Sequence, residues 1–251
     1  MTTRAGALAA LLFGFALLIA PRLITSSIAV SSNTLAASVK GRIEIIPSAS
    51  RKSSSSNDAS GVVVWLSSLE SGAARASRSR RKMIQKGKRF TPHILAVEVG
   101  TEVDFPNEDP FFHNVFSIYD GRRFDLGLYA SGESRPVNFS RPGVSYIFCN
   151  IHPQMSAAII AVNTPYYSVS SSQGLFAMDS VVSGRYQLQV WHERSTAEHL
   201  ESLTRTVEVN STTLDLGVIK VSEEGYIQTL HRNKYGQDYD LNRNKPAYRK
   251  P

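Results

Sequence analysis

Between residues 39 and 221 the chain is cut into short runs in which apolar and polar residues alternate, each bounded by Gly, Pro, Asn or Ser. A period of two buries one face of a β-strand, and many short strands at regular spacing close into sandwiches or barrels. Residues 39–46 (VKGRIEII) and 93–99 (HILAVEV) alternate, whereas 61–66 (GVVVWL) and 156–162 (SAAIIAV) are unbroken apolar strand runs. RPVNF at 135–139 and VSYIF at 144–148 are parted by the turn SRPG. TPYYSVS, GLFAM, GRYQLQVWH, LTRTVEV and LDLGVIKV follow in the same style. No segment beyond the N-terminal run has a convincing helical period, so the expected fold class is all-β.

With 251 residues, 42% of them hydrophobic and 20% charged, the chain can build one large core or two small ones. Its formal charge of +7 is unevenly spread: eight Lys or Arg fall between residues 75 and 89, with no acid between Glu70 and Glu98. Such a patch attracts nucleic acid, an anionic membrane or an acidic protein. No nucleic-acid-binding signature accompanies it, so nucleic acid is not an expected partner. At the N-terminus Arg4 precedes an apolar run over 5–20, ended by Pro21, and small residues lead to LAAS at 35–38. Residues 1–37 therefore read as an export signal, the run being short for a membrane span. A retained anchor is the rival reading and the only membrane contact expected. Export to the periplasm or the exterior would put the chain where disulfides form, yet its single cysteine, Cys149, cannot bridge within the chain. Residues 223–251 are polar and are expected to form a poorly ordered tail.

That thiol lies in YIFCNIHPQM, with His152 three residues on and Met155 three beyond. Thiolate, imidazole and thioether donors suit copper, and two His and one Cys with a distant Met is the type 1 arrangement. A fourth ligand must come from elsewhere. Of the other histidines (93, 113, 192, 199 and 231), His113 is the best candidate, because Phe111, Phe112 and Phe116 around it would keep the site dry. Other readings of Cys149 are an inert buried thiol, a Cys–His nucleophile, and a zinc ligand. WHERSTAEH at 191–199 has five residues between its Glu and second His, where a zinc-protease motif needs two.

DFPNEDPFFHNVFS at 104–117, followed by RPGVSYIFCNIHPQM at 141–155, resembles the cupredoxin family, which includes plastocyanin and amicyanin. The Cys-x2-His-x2-Met spacing is similar to amicyanin's short ligand loop. The resemblance implies a Greek-key β-sandwich over residues 80–163 with one type 1 copper ion held by His113, Cys149, His152 and Met155. It implies that Asn114 joins the two ligand loops and that His152, beside Pro153, is the electron exit. The function implied is single-electron transfer between redox partner proteins, without catalysis. The basic segment suits an acidic partner. A copper-carrying or structural copper module is the alternative.

A second likeness covers TPYYSVSSSQGLFAMDSVVSGRYQLQVWHE at 164–193, which is similar to the small transthyretin-like sandwiches of the carboxypeptidase regulatory-like family. Gln173, Gly174 and Phe176 stand for its D-G-x-F strand; Ser183, Gly184, Tyr186 and Leu188 stand for P-G-x-Y-x-L, with Ser in place of Pro. Gly41, Arg42 and Ile43 with residues 61–66 resemble its opening strands. The expected organisation is a small Ig-like or transthyretin-like β-sandwich split over 38–72 and 164–222, with the 80–163 sandwich inserted. A sequential layout, with 39–163 as one long sandwich, competes.

Overall fold

The computed structural model describes residue 2 and residues 36–48, 58–70, 79–118, 121–210, 212–224 and 232–239. Of the stretch 1–37 expected to be an export signal, only residue 2 and residues 36 and 37, the last two within a strand, are described; residues 75–78 of the basic run, His231, and residues 225–230 and 240–251 of the tail lie outside the described residues.

The elements run in the order β1 (Ala36–Ile46), β2 (Val63–Ser68), β3 (Arg80–Lys82), β4 (Ile84–Gln85), β5 (Phe90–Thr91), β6 (Ile94–Glu98), β7 (Glu102–Pro106), β8 (His113–Ser117) and β9 (Phe124–Tyr129). Next come β10 (Ser134–Asn138), β11 (Gly143–Phe148), β12 (Ser156–Val162), β13 (Tyr167–Val169), β14 (Leu175–Val182), β15 (Gly184–Trp191), helix α1 (Ala197–Ser202), β16 (Arg205–Val209) and β17 (Thr213–Ser222). Among the described residues the fold is all-β apart from that helical turn and a half. Among the described residues no helix is long and apolar enough to cross a membrane.

Strands β6-β12-β11-β8-β9 form a five-stranded sheet and β10-β7-β3 a three-stranded one. Phe105, Val115, Tyr129, Val137, Ile147 and Ile159 belong to the core between them. A second pair of sheets, β14-β1-β17 and β13-β2-β15-β16, encloses Val39, Ile43, Leu66, Phe176, Leu188 and Val221. β1 sits between β14 and β17, with Gly41 opposite Phe176 and Ile43 opposite Ile219. β2 sits between β13 and β15, with Leu66 opposite Leu188. Both early strands are thus bonded in sheets whose other members all follow residue 163.

A third core joins the two sandwiches. It holds Val63, Ala96, Ala158, Ile160, Val162 and Trp191. Successive residues of a strand point to opposite faces. Ala157, Ile159 and Ala161 of β12 therefore enter the first core while Ala158, Ile160 and Val162 enter the third. This explains the unbroken apolar run SAAIIAV: both of its faces are buried.

Two expectations are corrected. No helix was expected beyond the N-terminal run, yet α1 forms. Its six residues bury no side chain, so no apolar stripe marks it; the legible sign is Thr196, whose side chain accepts the His199 N–H. The tail was expected to be poorly ordered throughout, but residues 232–239 fold. The Asn233 side chain accepts the Tyr235 and Gln237 N–H groups at 2.9 and 3.0 Å, and the Asn233 N–H donates to the Gln237 carbonyl at 2.9 Å. The polarity that suggested disorder is used in a hydrogen-bonded turn.

Gly174, at φ +78°, precedes β14 and accepts the Ile43 N–H at 2.8 Å; a Cβ there would be driven into the Ile43 carbonyl oxygen. Gly174→Ala is expected to cost about 2 kcal/mol or more of unfolding free energy, because the left-handed backbone and the clash act together. Urea unfolding followed by circular dichroism measures this; an unchanged midpoint would show that β1 does not depend on the junction.

Candidate metal centre

His113 opens β8 at the end of the NEDPFFH loop. Opposite it on β9 stands Tyr129, and an irregularity between Asn114 and Phe116 sets Asp125 opposite Phe116. Such irregularities re-aim side chains. On its other side β8 meets β11, with Phe116 opposite Phe148. β11 ends there, and Cys149 is the next residue. The chain then reverses: the Met155 N–H donates to the His152 carbonyl at 3.0 Å, and the Cys149 N–H donates to the Met155 carbonyl at 3.1 Å. β12 returns antiparallel to β11, with Ser156 opposite Phe148. Residues 149–155 are therefore a closed loop whose ends are fixed by sheet pairing.

The two Nδ1 atoms of His113 and His152 are 3.1 Å apart. Cys149 Sγ lies 3.8 Å from the first and 3.4 Å from the second. A point equidistant from the three donors is about 2.0 Å from each, against about 2.0–2.1 Å for a metal–imidazole bond and about 2.3 Å for a metal–thiolate bond. Among the described residues this is the group of three His, Cys, Asp or Glu side chains that converges on one point. Met155 is buried in the same core cluster as Cys149, at the foot of the loop.

The electrostatics favour a cation. His113 Nε2 is 2.8 Å from Asp109 Oδ2. A carboxylate only accepts, so Nε2 carries the proton and Nδ1 presents its lone pair to the sulfur. Burial holds the His113 ring below its ordinary pKa, against the pull of Asp109. His152 is pushed down to about 4, by burial first and then by His113 and Lys88. Burial pushes the Cys149 thiol up; the backbone N–H groups of Asn114, Ile151 and His152 work the other way, favouring the thiolate. At neutral pH two uncharged nitrogens and a sulfur share one point, and a metal ion satisfies all three at once.

Behind the donors, Asp109 also accepts the Gly87 N–H at 2.7 Å and the Lys88 N–H at 2.9 Å. Burial alone would raise its pKa, yet the Lys88 N–H, the His113 ring and the Gly87 N–H hold it below the usual carboxylate range. Asn107 fixes the loop in turn, accepting the Asp109 N–H and donating to the Phe111 carbonyl at 2.8 Å. The Asn114 side chain donates to Asp125 at 2.7 Å, while its backbone N–H points at the Cys149 sulfur. Phe111 packs edge-on against both rings, with centroids 5.2 Å from His113 and 5.7 Å from His152. His113 and Cys149 are fully buried, and His152 is half-buried. The part played by Asp109 was not read from the sequence; its one signal is an acid four residues before the candidate ligand.

The other described histidines serve elsewhere. His93 Nδ1 is 3.1 Å from the Ser156 carbonyl and its Nε2 is 2.7 Å from Glu193. His192 is buried with Nε2 3.6 Å from Glu223, beside a cavity of about 470 Å³ that His93, Glu193 and Arg194 also line. His199 Nε2 accepts the Ser222 N–H at 3.0 Å. WHERSTAEH accordingly brings no three ligands together.

No protein-family model matches the chain, and no curated protein matches it. Solved structures do. A Cu-containing nitrite reductase from Thermus scotoductus SA-01 is 27% identical over 38% of this chain and 25% of its own, with a TM-score of 0.33. This chain thus spans about a quarter of that protein. A purple cupredoxin from Nitrosopumilus maritimus is 24% identical over 33% of this chain and 99% of its own, with a TM-score of 0.31. A reduced amicyanin variant is 17% identical over 39% of this chain and 98% of its own, with a TM-score of 0.32. With scores this low, the assignment rests on the site's own atoms.

Two outcomes follow from the charge states. Zn(II) binding at pH 7 is expected to release about one proton, from Cys149, because both rings have already lost their extra proton and the thiol still holds its own; affinity should then rise with pH. Titration calorimetry in buffers of different ionisation enthalpy counts the proton. Asp109→Asn, which no longer fixes the His113 tautomer, is expected to weaken zinc about 10- to 100-fold.

Proposed function

We propose that this chain is an exported single-electron carrier, not an enzyme, whose one copper ion is held by His113, Cys149 and His152, with Met155 as a weak fourth ligand. The observation that carries the reading is the buried triangle of two imidazole nitrogens and one sulfur at 3.1, 3.4 and 3.8 Å. Softer sulfur donors favour copper over hard cations, and a thioether is a poor partner for zinc. Copper in such a site exchanges one electron between its cupric and cuprous forms. The chain's own part is to hold the donors still, so that little rearranges on transfer. Sheet pairing at both ends of the 149–155 loop does this, together with the grip of Asp109 on His113.

His152 is the least buried of the three donors, which supports it as the electron exit. The β4–β5 turn beside it carries Lys86, Lys88 and Arg89, and Asp109 pins that turn to the ligand loop. Lys88 Nζ lies 5.5 Å from the centre of the Phe111 ring, which itself packs on His152. A fixed basic rim at the exit supports an acidic redox partner. The second sandwich, built from β1, β2 and the strands after residue 163, is read as the split 38–72 and 164–222 unit with the 80–163 unit inserted. Its role in this reading is that of a scaffold, and the location is periplasmic or secreted.

Copper titration tests the assignment. Cu(II) should raise an intense visible thiolate-to-copper band that dithionite bleaches and ferricyanide restores. Cys149→Ser should abolish the band, and a colourless wild-type protein would sink the reading. Oxidation of the reduced protein by ferricyanide should slow as salt rises, and Lys88→Glu should slow it about threefold or more at low ionic strength, with the difference vanishing at high salt.

A further inference from the structure

The folded part of the C-terminal segment touches both ligand loops. The Lys234 N–H donates to Asn150 Oδ1 at 2.9 Å, on the residue after Cys149. Its Nζ donates to Asp125 Oδ2 at 2.7 Å, and the other Asp125 oxygen accepts Asn114 Nδ2 at 2.7 Å, on the residue after His113. The Tyr239 hydroxyl donates to the carbonyl of Cys149 itself at 3.0 Å. These contacts are held in place by the Asn233 turn. Lys234 is half-buried over its ion pair, and Asp125 is held below the usual carboxylate range: burial would raise it, but Lys234, the Gly127 N–H and Asn114 prevail.

We propose that residues 232–239 are a strap across the sulfur side of the metal centre, in which Lys234 and Tyr239 are positioning residues that hold the Cys149 loop against the His113 strand. The chain Cys149 loop–Lys234–Asp125–Asn114 closes a ring of hydrogen bonds around the site that sheet pairing alone does not close. The strap fills the side of the site that the Asn150 amide and the Cys149 carbonyl face, which leaves the half-buried His152 edge as the open approach. The strap concerns protein contacts present without metal; only its effect on a loaded centre rests on the copper reading.

Cys149 is 0% exposed, so a thiol reagent reaches it only when the loop opens. Iodoacetamide alkylation of the metal-free full chain is compared with that of Lys234→Met, of Tyr239→Phe and of a chain ending at His231. The truncated chain should react about tenfold faster or more, and each point variant by a smaller factor, as expected when an opening equilibrium loses charge-assisted or neutral hydrogen bonds. Lys234 and Tyr239 belong to none of the three cores, so the point variants should keep the wild-type melting temperature. Rates within about twofold of wild type in all three proteins would overturn the strap. In the copper-loaded truncated chain the visible band should persist while the reduction potential falls, because water admitted beside the sulfur favours the more highly charged oxidised form. An unchanged potential counts against the strap. Faster alkylation in a protein that stays colourless with Cu(II) upholds the strap and refutes the copper reading; a coloured protein with unaltered alkylation does the reverse.

Discussion

The carboxylate of Asp109 is the contact on which the geometry of the site depends. It receives three hydrogens, from Gly87, Lys88 and the His113 ring, at 2.7 to 2.9 Å. Hydrogen bonds to a charged acceptor are worth about 1.5–3 kcal/mol each, so the cluster outweighs the burial that opposes ionisation. Its consequences run in two directions. Toward the site, it fixes the His113 tautomer and turns Nδ1 to the sulfur. Toward the surface, it draws the turn between β4 and β5 against the ligand loop and brings Lys86, Lys88 and Arg89 with it. One side chain thus sets both the donor orientation and the charge at the rim.

Asp109 orients one donor; the sheet supplies the distance between the two loops. His113 begins β8 and Cys149 follows β11, and those strands are neighbours. A separation of 36 residues in sequence becomes 3.8 Å between Nδ1 and Sγ. The pairing also delivers the Asn114 N–H to the sulfur, where it acts with the Ile151 and His152 N–H groups against the burial that would keep the thiol protonated. Three fixed dipoles and two uncharged imidazoles are in position before any ion arrives.

The strand pattern and the proximity of Cys149 and His152 were legible because both are local: alternation shows within eight residues, and the two side chains stand three residues apart. His113 was legible by residue type and its aromatic neighbours. Asp109 was not, because its function is a direction in space and its partners, at 87 and 88, lie 21 and 22 residues away. β9 passed unnoticed because FDLGLY buries only Tyr129 fully and carries Gly127 at its centre. The folding of 232–239 was hidden for the opposite reason: its polar residues are those of a solvated tail, and only the acceptors at 125, 149 and 150 give them a place to bind. Composition reports whether a segment can bury apolar surface; it is silent on whether distant polar partners wait for it.

The second sandwich has a mechanical consequence for the first. β12 leaves the ligand loop directly after Met155, and its two faces are buried in different cores, the one shared with Cys149 and the one shared with Trp191 and Val63. At its first residue, Ser156, the carbonyl is bound by His93, whose other nitrogen is bound by Glu193 from the second sandwich. That Glu193 bond, the largest influence on the ring, raises the His93 pKa and strengthens the tie as the ring gains its proton. A strand gripped on both faces and at its start cannot shift without breaching two close-packed cores, whose packing tolerates little change of volume. In the proposed reading as an electron carrier this matters more than stability as such: a 149–155 loop that cannot relax between oxidation states would add little to the barrier for transfer, and the resistance comes from the unit that carries none of the three converging donors.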